Sequence, residues 1–203
     1  LHNYWLKENN ISGIYEKKKI HYDEIKNIID EIKKRRIQGI NVTVPFKKDV
    51  IQYLDDLSEE ASITKSVNTI YLDKDKVIGH NTDVAGFELS LKKMEIDLKG
   101  KRIFILGAGG VVSSIIYSLE KIGVSQILLA NRTKSKAEDL KKIFKNLNLI
   151  EWGTMPKFDM IINATSLGLK KNDRFEIDFL KFGGDKFFYD VIYNPFKTDF
   201  SEA

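Results

Sequence analysis

Residues 102–106, Arg-Ile-Phe-Ile-Leu, run directly into Gly107-Ala108-Gly109-Gly110, and a helical apolar pattern starts at Val111. An apolar strand, a glycine-rich turn and a helix in immediate succession leave few folds open. The pattern then repeats. Strands are expected at 126–130, 159–162 and 187–191, and helices at 111–122 and 135–144. Strands that alternate with helices imply right-handed crossovers and a parallel sheet, so the second half reads as a Rossmann-like α/β unit.

The glycines have distinct uses in such a turn. Gly107 permits the tight reversal, Gly109 lets the backbone approach a pyrophosphate, and the helix starting at Val111 presents free N–H groups and its positive end. Ala108 and Gly110 complete the cradle. The third glycine of the GxGxxG pattern is replaced by Val112. At the end of the next strand, where a carboxylate would bind the ribose of NAD, the chain has Asn131-Arg132-Thr133, with Lys136 just beyond. A guanidinium there can grip a 2′-phosphate bidentately, and Thr133 and Lys136 add a hydroxyl and a charge. Taken alone, Asn-Arg-Thr is also a helix start with Thr133 as its cap. At this distance from a glycine turn it favours NADP(H) over NAD. A further strand end, residues 163–168, offers Thr165 near the nicotinamide; the plainer reading is a turn in which Thr165 or Ser166 bonds its own backbone, and the two are compatible.

The first half is α/β but less regular. Ile25, Ile28, Ile29 and Ile32 recur at helical spacing, which predicts an amphipathic helix over 22–34. Residues 37–44 are apolar and β-branched and stop at Pro45, as a strand does. A short helix capped by Ser58 follows, then a hairpin tipped at 73–75, then a helix over 82–94. The polar turn at 99–101 marks the boundary between a unit spanning 1–98 and one spanning 99–203. Three apolar strands of the first unit end on polar residues, at Thr43, Asn68 and Asp83. Each has a bland reading: a surface strand residue, a turn former and a first-turn helix acid.

Composition removes several classes. With 33 basic and 29 acidic side chains intermixed and a net charge of +4, no basic face suited to nucleic acid stands out. The chain has no cysteine and three scattered histidines, so disulfides, a thiolate nucleophile and a histidine- or cysteine-based metal site are not expected. No apolar run approaches the roughly 20 residues that span a bilayer. A cytoplasmic location fits, although the chain starts at Leu1 and any targeting segment upstream would be invisible. Trp5 and Trp152 read as packing residues.

Seven ordered motifs resemble the shikimate dehydrogenase family. They are Asn41-Val42-Thr43-Val44-Pro45-Phe46-Lys47, Ser66-Val67-Asn68-Thr69, Gly79-His80-Asn81-Thr82-Asp83-Val84-Ala85-Gly86, the glycine turn, Asn131-Arg132-Thr133, Asn163-Ala164-Thr165-Ser166-Leu167-Gly168 and Asp190-Val191-Ile192-Tyr193-Asn194-Pro195. The resemblance spans nearly the whole chain. It implies a substrate domain followed by an NADP-binding domain, and NADPH-dependent reduction of 3-dehydroshikimate to shikimate on the way to chorismate and the aromatic amino acids. Carried over residue by residue, it makes Lys47 and Asp83 the catalytic pair. Thr43 and Asn68, with Lys47 and Asp83 themselves, would bind the substrate, and Tyr193 would lie near substrate and nicotinamide. The chemistry agrees: a lysine beside a carboxylate can pass a proton while stabilising a developing alkoxide. Asn and Thr suit a polyhydroxylated ring because each both donates and accepts.

The sequence departs from that family at its ends. Members begin with a strand carrying a Ser-x-Ser-Pro-like carboxylate anchor and finish with helices that bear a substrate-contacting glutamine. Here His2-Asn3 opens the chain and Ala203 closes it. The expectation is a fragment of a longer product, weak in activity or stability alone because a missing central strand exposes unpaired edges. Two alternatives stand beside the main reading: a quinate/shikimate enzyme of broader specificity, and an inactive NADP-binding domain. A monomer or a homodimer is expected.

Overall fold

The computed structural model describes residues 1–170, 186–195, 198 and 200, and they form two sheets. After α1 (His2–Glu8), a 3-10 turn (Tyr22–Glu24) leads into α2 (Ile25–Lys33). The four isoleucines of α2 are all buried, as their spacing predicts. Burying a side chain of that size contributes about 1.5–3 kcal/mol, so this stripe fixes α2 on the first sheet. The helix starts three residues later than its periodicity suggests, because the reciprocal bonds of His21 and Glu24 close a 3-10 turn first.

The first sheet has the order β1-β3-β4-β2, from β1 (Gly39–Asn41), β2 (Asp56–Leu57), β3 (Thr69–Asp73) and β4 (Lys76–His80). Only β2–β4 is parallel. Strand β1 is shorter than the apolar run 37–44 suggests: it pairs on one side only, with β3. Helix α3 (Glu59–Thr64) is capped by Ser58, whose hydroxyl accepts from the Ala61 amide at 3.2 Å.

Helix α4 (Asp83–Lys93) links the two sheets. Its Phe87 and Leu91, with Leu98 beyond it, belong to the same buried cluster as the strands of the second sheet. That sheet is parallel throughout, with the order β7-β6-β5-β8-β9, from β5 (Arg102–Leu106), β6 (Gln126–Ala130), β7 (Leu147–Ile150), β8 (Met160–Asn163) and β9 (Phe187–Asp190). Helices α5 (Val112–Ile122) and α6 (Lys134–Ile143) are the first two crossovers. The α/β architecture and the parallel second sheet expected from the sequence are present.

Register aligns the carboxyl ends of these strands in one row: Ile150, Ala130, Leu106, Asn163 and Asp190. The chain leaves β5 toward β6 on one side and returns to β8 on the other, so strand order reverses beside Leu106. In an open α/β sheet that reversal opens the ligand crevice. At the opposite edge Arg102 pairs with Asp159, its guanidinium at 3.2–3.3 Å and its backbone amide at 2.8 Å. The two tryptophans are less enclosed than expected. Trp5 is 50% exposed on α1, which buries none of its residues, and Trp152, in the loop after β7, is 37% exposed.

Candidate active site

The turn after β5 is built for close approach. Gly107 has φ +107°, and a Cβ there would stand 2.6 Å from the Ala164 carbonyl oxygen. Only glycine accepts both the conformation and the neighbour. The Gly107 amide donates to Ala130 O, and that of Ala164 to Leu106 O, both at 2.8 Å, which holds the three strand ends together. Among the described residues the amides of Ala108, Gly109, Gly110 and Val111 have no hydrogen-bond acceptor. Val111 is the N-cap of α5 and makes no side-chain capping bond. Free donors at a helix start form an anion cradle. Val112, at the position of the usual third glycine, is fully buried and packs into the core.

Arg132, Thr133 and Lys136 stand exposed beyond the end of β6, and none forms an ion pair or side-chain hydrogen bond among the described residues. Thr133 is the N-cap of α6: its carbonyl accepts from Lys136 N at 3.2 Å, but its side chain makes no capping bond. Asn131 folds back and donates to Thr133 O at 2.7 Å, shaping the turn that presents Arg132. At the end of β8, Asn163 Oδ1 accepts from the Thr165 amide and hydroxyl, and Thr165 Oγ1 accepts from Leu167 N. Asn163 Nδ2 donates to Asp190 Oδ1 and Leu167 O. The Thr165 hydroxyl is therefore engaged in its own turn, which is the plainer of the two sequence expectations.

In the first half, Lys47 lies in the loop after β1 and Asp83 opens α4. Lys47 Nζ meets Asp83 Oδ2 at 2.6 Å, with the two side chains 16% and 21% exposed. The second carboxylate oxygen accepts from Asn68 Nδ2 at 2.9 Å. Asn68 is itself gripped, since Oδ1 accepts from Thr82 N and Nδ2 also donates to Thr82 Oγ1, each at 2.9 Å. The structure thus brings Lys47, Asn68 and Asp83 into one bonded group. Thr43 is exposed in the same loop, and its side chain has no partner among the described residues. Tyr193, 91% exposed after β9, is not bonded to that group. The two halves meet here: a Cβ at Gly110 would lie 3.5 Å from Val44 Cγ2 and 3.8 Å from Lys47 Cδ.

Sequence reasoning passed over two residues. Asn41 donates to Thr69 Oγ1 at 3.2 Å beside Asn68, and Asn81 is buried behind Asp83. Both sit inside the quoted motifs. The signal for Asn81 lay in Ser114 and Ser118, polar residues one turn apart on an otherwise apolar helix face. A cavity of about 820 Å³ beside β1 reaches Asn41 and Thr43 but not Lys47, Asn68 or Asp83. Its lining is mainly apolar. Among the described residues no cluster of His, Asp or Glu could hold a metal ion, and no helix is long and apolar enough to cross a membrane.

Comparison with known proteins gives the same picture. Residues 1–70 match the shikimate dehydrogenase substrate binding domain, and residues 88–170 match the shikimate / quinate 5-dehydrogenase family. A shikimate dehydrogenase (NADP(+)) of Pelagibacter ubique is 56% identical over 98% of this chain and 76% of its own length. The crystal structure of shikimate dehydrogenase from Aquifex aeolicus superposes with a TM-score of 0.88 at 34% identity, covering 99% of this chain and 75% of that one. The Thermus thermophilus enzyme, solved in complex with NADP(H) and shikimate, superposes with a TM-score of 0.82 at 27% identity, covering 96% and 73%.

Proposed function

The chain belongs to the shikimate dehydrogenase family, and on that footing we propose that it interconverts shikimate and 3-dehydroshikimate with NADP(H). The observation that carries this reading is the Lys47–Asp83 pair at 2.6 Å, beside the glycine turn through Val44 and Gly110. The dinucleotide fits the second half: Gly107 to Val111 would cradle its pyrophosphate, and Arg132, Thr133 and Lys136 its 2′-phosphate, with Asn131 shaping their turn. When bound, it supplies or accepts the hydride. Thr165 would contribute through the shape of its turn.

The chain's own residues handle the proton. With one Lys47 proton on Asp83 Oδ2, two remain to face a substrate oxygen. In reduction the ammonium donates to the ketone oxygen, stabilises the charge growing there and delivers a proton to it. In oxidation Lys47 takes that proton back. Asp83 holds Lys47 in place, while Asn68 holds Asp83 through its other oxygen. Thr43 and Asn68 are assigned to substrate hydroxyls, and Tyr193 to a place near substrate and nicotinamide. The division into a substrate half (1–98) and a nucleotide half (99–203), a cytoplasmic location and a monomer or homodimer complete the proposal.

The decisive experiment is NADPH formation from NADP+ and shikimate, with NAD+ and quinate as controls. Turnover is expected, and Lys47→Ala is expected to lower kcat by about 100-fold or more while NADP+ affinity stays put. Turnover of quinate in place of shikimate would reassign the substrate. No turnover of either, by this chain or by one extended with the family's first strand and closing helices, would defeat the reading.

A further inference from the structure

Asn81 is 1% exposed, yet its carboxamide is bonded at both ends. Oδ1 accepts from the Asp83 amide at 2.9 Å. Nδ2 donates to Thr64 Oγ1 at 2.9 Å and to Ser66 O at 3.0 Å. The remaining partner is Ser114, fully buried on α5, whose hydroxyl lies 2.9 Å from Nδ2 and 3.3 Å from Oδ1. Ser114 is two residues into the helix whose N-terminus completes the glycine turn. The Ser66 hydroxyl also reaches Gly110 O, at 3.5 Å. One buried side chain therefore touches the backbone of the proposed catalytic acid on one side and the helix behind the nucleotide cradle on the other.

We infer that Asn81, through Ser114, is a positioning residue that holds the Lys47–Asp83 pair in register with the nucleotide turn. The inference rests on reading Lys47 and Asp83 as the proton-transfer pair. Its physical basis is directional. A buried carboxamide with every group satisfied tolerates only one placement of its partners, because each displaced bond leaves a buried polar atom unpaired. Asp83 is set through its own amide, one residue's length from the carboxylate that holds Lys47. Hydride transfer is sensitive to such placement, since a shift of about 1 Å can cost a hundredfold in rate. The competing account is that Asn81 merely satisfies buried polar groups. Apolar packing between α4 and α5 would then fix the geometry without it.

Two variants separate the accounts. Ser114→Ala deletes the cross-link and leaves the other bonds of Asn81. Ser118→Ala deletes a buried bond of the same helix to α4, to Val84 O at 3.4 Å, that does not touch Asn81. Amide exchange read by NMR needs no ligand: the Asp83 amide should exchange about tenfold faster in Ser114→Ala than in the parent, and unchanged in Ser118→Ala. In turnover, Ser114→Ala should lower kcat about tenfold with both KM values nearly constant. The primary deuterium isotope effect on kcat should rise as hydride transfer becomes limiting. Ser114→Cys, which keeps a weak donor and acceptor in place of the hydroxyl, should fall between.

An unchanged Asp83 amide overturns the inference whatever the substrate proves to be. Faster exchange with unaltered kcat and isotope effect overturns the positioning role. Faster exchange in a parent chain that turns over neither shikimate nor quinate would defeat the proposed reaction and, with it, the catalytic meaning of the link. Equal losses in Ser114→Ala and Ser118→Ala would favour simple packing and overturn the inference as well.

Discussion

Arg132 is an exposed guanidinium with no partner among the described residues, placed at the turn that follows β6. An arginine left unpaired there is available to a phosphate, and each charge-assisted bond is worth about 1.5–3 kcal/mol. Arg132→Ala is expected to raise the KM for NADP+ by roughly 10–100-fold and to leave that for NAD+ nearly unchanged. Equal effects on both cofactors in steady-state assays would remove the 2′-phosphate assignment. Gly107 makes a harder demand. At φ +107°, with Ala164 O 2.6 Å from any added Cβ, Gly107→Ala must distort two strand ends at once. A loss of about 3 kcal/mol or more is expected in urea unfolding, together with loss of nucleotide binding. A variant as stable as its parent would mean that the turn can relax.

At the scale of elements, an ion pair ties β5 to the start of β8 at the end of the second sheet away from the cleft. The Arg102 guanidinium and backbone amide hold the Asp159 carboxyl at about 2, against an ordinary 3.8. A lowered acid pKa stabilises the fold above the ordinary value, and the gain disappears as pH falls from 3.8 toward 2. Both side chains are partly exposed, so solvent screening cuts the contribution to about 1 kcal/mol. Asp159→Asn should therefore be less stable than its parent by that amount at neutral pH and converge on it only as pH falls through about 2; a deficit that persisted below that would point to packing instead. The elements themselves were unequally legible. Strand β5, helix α5 and the isoleucine stripe of α2 follow from local pattern, because core burial enforces period. Strand β7 did not: Asn148 interrupts its apolar run, and its place comes from pairing with β6. The shortness of β1 depends on its single neighbour, which no local pattern encodes. Of the site, the order of the motifs was readable. The Lys47–Asp83 distance, the inward turn of Thr165 and the bonding of Asn81 belong to side chains that meet across 2 to 36 residues of sequence.

For the whole molecule, α4 matters most. It opens with Asp83, bonded to Lys47, and then sinks Phe87 and Leu91 into the core of the second half. Lys47 and Asp83 both belong to the first half, and their 2.6 Å ion pair lies against the second half where Gly110 approaches Val44 and Lys47. Shikimate bound at that pair and NADP+ bound at the glycine turn should stabilise one another. The rise in Tm with both present should exceed the sum of the separate rises at matched saturation; simple additivity in thermal melts would show that the halves respond independently. The path of α4 also bears on how such enzymes could be recombined. A chimera cut in the polar turn at 99–101 would separate an incoming nucleotide half from the helix that fills its core. A cut before Asp83 would keep that core whole but import the carboxylate along with the cofactor site. On the proposed roles, a swap that keeps the second core whole carries Asp83 along with Arg132, so proton chemistry and cofactor preference would be inherited together.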